Sequence, residues 1–121
     1  MKNIVLFSFV LFLFACSESK TLSPSATAKV VAESFYHEDE ETLKKHTTAS
    51  GFENLSSIQS MFAQDKDSKT DFKIVEEATE GEVVWIKYTT AFDPKASIFK
   101  LVQEDGQWKV THNGPKDKGP F

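Results

Sequence analysis

Apolar residues follow two different rhythms along this chain, and the change between them divides it. From Ser23 to Ala63 the spacing is helical. Ser23-Pro24 is a helix start, a hydroxyl cap followed by a proline suited to the first turn. Ala28, Val31, Ala32 and Phe35 then recur at i, i+3, i+4 and i+7, which predicts a helix from about Pro24 to Tyr36. Asp39 is set to cap a second, short helix through about Lys45 anchored by Leu43, with acids at its positive end and Lys44-Lys45 at its negative end. Gly51 reads as a break. Phe52, Leu55, Ile58, Met61 and Phe62 give a third helix from about Phe52 to Ala63, and the charged run Gln64–Lys69 is a loop.

Beyond that loop the period shortens to two. Phe72, Ile74 and Val75 predict a short strand ending near Ala78, with a turn at Glu80-Gly81-Glu82. Val83 to Phe92 predicts a long strand with Val84, Ile86, Tyr88 and Phe92 on one face and Val83, Trp85 and Ala91 on the other. Apolar residues on both faces mark it as a central strand. Asp93-Pro94-Lys95 is expected to stop it. Ile98–Gln103 and the Trp108-Val110-His112 alternation make the last two strands, joined by a tight turn at Glu104-Asp105-Gly106. Helices followed by strands joined by short connections predict an α+β domain: three N-terminal helices packed on a curved four-stranded antiparallel sheet.

Ahead of the domain, Met1-Lys2-Asn3 carries one charge, and Ile4 to Phe14 is apolar except for Ser8. As a helix this run would span about 16 Å, short of the ~20 residues that cross a bilayer. A basic start, a short apolar run and a small residue after it describe a secretory signal peptide over residues 1–15. Leu13-Phe14-Ala15-Cys16 resembles the lipobox of bacterial lipoproteins. That resemblance implies cleavage between Ala15 and Cys16, with a diacylglycerol thioether and an amide-linked acyl chain of the palmitate type on Cys16. More than one acyl chain gives stable membrane anchoring. Cys16 is the only cysteine, so no intramolecular disulfide can form. Residues 16–23 are polar and aperiodic and read as a tether that reaches at most about 28 Å, at roughly 3.5 Å per residue. Ser17 after the cysteine implies, by the same resemblance, the outer membrane of a bacterial cell envelope, with periplasmic face and cell surface both open. The domain occupies residues 24–112, and residues 113–121 form a Gly/Pro/Lys tail.

Charge narrows the partners. The 121 residues hold 14 basic side chains, all Lys, against 18 acids, for a net charge of −4. An acidic chain without arginine lacks the footprint of a nucleic-acid-binding protein.

Ser23-Pro24 with Val31, Ala32 and Phe35, the acidic step at Asp39-Glu40 before Leu43, and the closing run Phe99 to Val110 resemble the nuclear-transport-factor-2-like (cystatin-like α+β) domains of small bacterial lipoproteins of unassigned function. The resemblance covers most of residues 23–112. It implies a cone, a curved sheet wrapped around helices, that in some relatives is an enzyme pocket and in others binds a ligand or partner or forms a homodimer. Fold does not decide among these.

Candidate chemistry is sparse. A buried carboxylate base and an oxyanion-stabilising hydroxyl would be needed for isomerase chemistry. Tyr88 offers the hydroxyl and Asp71 or Asp93 the acid, yet Asp71 at a strand start and Asp93 beside Pro94 read as solvated. His37 within an acidic run lacks the alternating spacing of a calcium loop. No metal or other cofactor is expected. No nucleophile motif or phosphate loop occurs. Trp85 and Trp108 read as packing residues. Phe35, Tyr36, Tyr88 and Phe99 are the candidate pocket. The leading expectation is a non-enzymatic, lipid-anchored envelope protein that binds a small hydrophobic ligand or an envelope protein. The alternatives are an isomerase- or hydratase-like enzyme on a small hydrophobic substrate, and a protective lipoprotein that inhibits a toxin or host enzyme.

Overall fold

The computed structural model describes residues 21–114 and 116–121. The expected signal segment, the expected cleavage between Ala15 and Cys16, and Cys16 itself lie outside these residues. Three helices, α1 (Pro24–Tyr36), α2 (Glu40–Lys45) and α3 (Ala49–Phe62), precede four strands, β1 (Lys73–Glu80), β2 (Val83–Thr90), β3 (Asp93–Glu104) and β4 (Gln107–Thr111). The strands form one open antiparallel sheet in the order β1-β2-β3-β4. Among the described residues no helix is long and apolar enough to cross a membrane.

Helix starts follow side-chain capping. The Ser23 hydroxyl accepts from Ala26 N–H at 3.1 Å, with Pro24 in the first turn. The Asp39 carboxylate accepts from Thr42 N–H at 3.2 Å, after Glu38 has turned the chain in the left-handed region at φ 56°. Ala28, Val31, Ala32 and Phe35 turn one face of α1 onto the concave side of the sheet, where Val84, Ile86, Phe99, Leu101 and Val110 meet them and Leu43 of α2. Val31, Leu43, Ile86 and Leu101 are fully buried. Each such side chain stabilises the fold by about 1.5–3 kcal/mol relative to exposure.

Three boundaries differ from expectation. Gly51 does not break the chain; α3 begins at Ala49, capped by the Thr48 hydroxyl, which accepts from Gly51 N–H at 3.1 Å. Gly51 is there because the helix start lies against β4. A Cβ at this position would collide with the Val110 carbonyl oxygen and stand 3.1 Å from Thr111 Cα. The same junction seals the β4 edge, since Thr48 N–H donates to Val110 O at 2.9 Å and Val110 N–H to His46 O at 3.0 Å.

The second difference is at Asp93-Pro94. The reversal falls at Ala91-Phe92, and Asp93 opens the 12-residue β3 by pairing with Thr90. Register then slips between Tyr88, opposite Ser97, and Thr90, opposite Asp93, so Pro94 to Ala96 form a bulge. β4 pairs with β3 only from Lys100 onward, so nothing on that side requires the N–H that Pro94 lacks. The third is β1, which runs on to Glu80 with a bulge after Ile74 and remains largely in solvent. That bulge places the consecutive apolar pair Ile74-Val75 within one strand.

The far face of the sheet carries Trp85. Its indole is only 4% exposed because the tail folds over it, with the Gly119 backbone seated on the ring. Lys100 bridges tail and sheet through Asp117 at 3.7 Å while its ammonium stands 5.5 Å from the Trp85 ring.

Candidate functional site

The helices leave the concave face of the sheet incompletely filled. α3 is held at both ends: its first turn abuts β4, and near its last turn the buried Gln59 amide donates to Ser34 O and Phe35 O at 3.2 and 3.0 Å. Spanning between these supports, the helix roofs a cavity of about 230 Å³ instead of pressing onto the sheet. Leu55, Ile58 and Phe62 of α3 form one wall and Phe35 and Tyr36 from the end of α1 another. Tyr88, Phe99 and Ile98 make the sheet wall. All four candidate pocket residues, Phe35, Tyr36, Tyr88 and Phe99, line this single cavity.

Their rings pack in two groups. Tyr36 lies at 5.2 Å from Phe35 and 4.9 Å from Phe92 between ring centres, and Phe35 at 6.0 Å from Phe62. Tyr88 is sandwiched between Phe99 at 4.6 Å and Phe72 at 5.1 Å. Burial raises the Tyr88 phenol above the ordinary tyrosine range, and the neighbouring Tyr36 adds to the shift. A hydrogen bond with Ser97 opposes it, and the charge of Asp93 raises it a little further. The phenol is therefore neutral at physiological pH.

The rim is polar. Asn54, Ser97, Thr111, His112 and Asn113 contribute to the lining, with Asp93 as its only carboxylate. Here the expectation of a solvated Asp93 needs correcting. Because Asp93 opens β3, its side chain is half-buried at the cavity wall, with Oδ1 accepting from Lys95 N–H at 2.9 Å. Asp71 is exposed and pairs with Lys73 at 3.7 Å, away from the cavity.

The three histidines are spread over the domain. His37 contacts Ser68 O through Nε2 at 3.0 Å, tying the end of α1 to the loop before β1, and His46 contacts Thr42 O through Nδ1 at 2.9 Å within the turn that ends α2. His112 sits past the end of β4, exposed at the cavity rim. Among the described residues no group of three or more His, Cys, Asp or Glu could hold a metal ion. Trp85 faces the tail and Trp108 packs against the core; neither lines the cavity. Sequence reasoning missed the α3 wall and the Ser97–Asp93 rim. Leu55, Ile58 and Phe62 were visible as a helical stripe, but a stripe alone does not tell a filled interface from the roof of a hollow.

No family model matches the sequence, and no curated protein matches it. Among solved structures, one of a protein from Campylobacter jejuni described as an NTF2-like transpeptidase superposes with a TM-score of 0.61 at 15% identity, covering 76% of this chain and 100% of that one. At that identity the likeness speaks for the fold alone. Its agreement with the element order and the open sheet gives the conclusion: this chain has a nuclear-transport-factor-2-like fold, three helices leading into a four-stranded antiparallel cone.

Proposed function

We propose that this chain is a lipid-anchored protein of the bacterial envelope, moored through Cys16 at the outer membrane, whose cone binds a small and largely apolar molecule. The observation that carries the binding reading is the aromatic-walled cavity of about 230 Å³ under α3, with a few polar side chains, Asp93, Ser97 and Asn54 among them, in its lining. Hollows with apolar walls and a few convergent polar groups are the usual architecture of small-molecule sites. The anchor reading rests on the lipobox-like Leu13-Phe14-Ala15-Cys16 and the polar tether behind it.

Native mass spectrometry of the protein purified from its own cells tests the binding reading. A small adduct is expected on the natural chain and is expected to be absent from Ile58→Trp, which fills the cavity from α3. A bare natural protein, or an adduct indifferent to Ile58→Trp, would overturn it. For the anchor, Cys16→Ser should abolish labelling by a fatty-acid analogue and leave a larger precursor; undiminished labelling refutes it.

One observation favours a second reading, an isomerase- or hydratase-like enzyme on a small hydrophobic substrate. Asp93 places a carboxylate in the lining of the same cavity as the Tyr88 phenol. Turnover of the bound molecule that Asp93→Asn abolishes would select that reading over binding alone.

A further inference from the structure

The charge pattern of the cavity specifies more than its size. Its lining contains one carboxylate, Asp93, and no lysine, although lysine is the chain's only strongly basic residue type. Asp93 is also free of ion pairs: among the described residues those join Lys73 to Asp71, Lys100 to Asp117 and Lys109 to Glu104. Its Oδ1 is held by Lys95 N–H. That bond holds one carboxylate oxygen, and among the described residues no side-chain hydrogen bond or ion pair engages Oδ2. The cavity is also walled by aromatic side chains, Tyr36 and Phe99 with Tyr88, whose own ring is stacked between Phe99 and Phe72. An aromatic face is electrically negative at its centre and attracts cations.

These features act in one direction. An anion entering the cavity would meet Asp93 with no lysine to offset it, the one basic side chain of the lining being His112, exposed at the rim, and charge burial without a partner is strongly unfavourable. A neutral apolar molecule would fill the space but gain nothing from the Asp93 charge. A cation with an apolar body satisfies both ends, its charge at Asp93 and the rings, its body against Leu55 and Ile58. Size limits it further. A hollow of about 230 Å³, open to solvent on one side, has room for a single-ring molecule.

We propose that the cavity takes a small organic monocation, an amine with an apolar body, seated with its ammonium against the Asp93 carboxylate and the aromatic walls. This rests on the cavity being the binding site, as argued above.

Three probes of one skeleton separate the two claims: phenethylamine, its neutral counterpart 2-phenylethanol, and the anion phenylacetate. The full chain, as the cell processes it, is held in lipid nanodiscs and titrated calorimetrically, with empty nanodiscs as the blank. Phenethylamine is expected to bind about tenfold tighter than 2-phenylethanol, the scale of a hydrogen bond gaining one full charge partner, and phenylacetate to bind weakest. In Asp93→Asn the amine should fall to near parity with the alcohol while the alcohol keeps its affinity, because the Asn carbonyl can still accept from Lys95 N–H. Asn54→Lys, which adds a cation at the rim without touching Asp93, should reverse the order and favour phenylacetate. Equal binding of amine and alcohol, or an amine preference that survives Asp93→Asn, overturns the cation inference and leaves the cavity reading intact. Binding of none of the three probes overturns both.

Discussion

Gly51→Ala sets two physical effects against each other, and the structure says which is larger. In a helix alanine is favoured over glycine by about 1 kcal/mol, and Gly51 lies within α3. Against this, the new methyl would collide with the Val110 carbonyl oxygen and approach Val110 C to 3.2 Å and Thr111 Cα to 3.1 Å. All three are main-chain atoms, so no side chain can rotate out of the way. Relief requires α3 to move off β4. That movement stretches the Thr48 N–H to Val110 O bond and the 2.8 Å contact between the Thr48 and Thr111 hydroxyls. Overpacking costs about 1–3 kcal/mol, and a weakened hydrogen bond adds about 1. The expected net is a loss of about 1–3 kcal/mol, or roughly 5–20 °C in Tm for a domain of this size. Urea unfolding followed by tryptophan fluorescence measures it. Gly114→Ala, with open space around the new methyl and no positive φ, is the control and should stay within about 0.5 kcal/mol of the natural chain. A Gly51→Ala protein as stable as the natural one, or more so, would show that propensity outweighs packing and refute the account of this junction.

Two further outcomes follow from the helix cap and the tail. Hydrogen bonds from Thr42, through its side chain and its backbone N–H, hold the Asp39 carboxyl below its ordinary pKa. The cap therefore stabilises the fold above the unfolded carboxylate range, and that contribution disappears as pH falls through the folded value. Asp39→Ala should accordingly lower the urea midpoint at neutral pH and match the natural chain in strong acid; a gap that persists in acid contradicts the assignment. Ending the chain at Gly114 should uncover Trp85, giving its indole nitrogen, which has no partner among the described residues, access to water. A red shift in emission is expected, and an unchanged spectrum would mean that the tail does not cover the ring.

What could be read from the sequence depended on whether the cause was local. Ser23-Pro24 and Asp39 set the starts of α1 and α2 through hydrogen bonds within a few residues, so the pattern located both helices. The Asp105-Gly106 turn is similarly local, with both residues at positive φ joining Glu104 to its partner Gln107. Gly51 misled because its reason is a backbone more than fifty residues away, and the Thr48 cap just before it was outweighed by the usual reading of glycine as a breaker. Asp93-Pro94 misled for the same kind of reason, since proline is tolerated in β3 only because β4 ends its pairing at Lys100. The aromatic members of the cavity were legible as inward-facing positions. Its hollowness was not, because it depends on how far Gln59 and the Gly51 junction hold α3 from the sheet.

The most direct test of the central claim is electron density in the cavity of a crystal of the protein purified from its own cells without added ligand. An ordered molecule larger than water is expected between Ile58, Tyr36 and Tyr88, with a polar or charged end at Asp93. A collapsed cavity, with Ile58 and Phe62 moved down onto Phe99 and no space left between them, would contradict it.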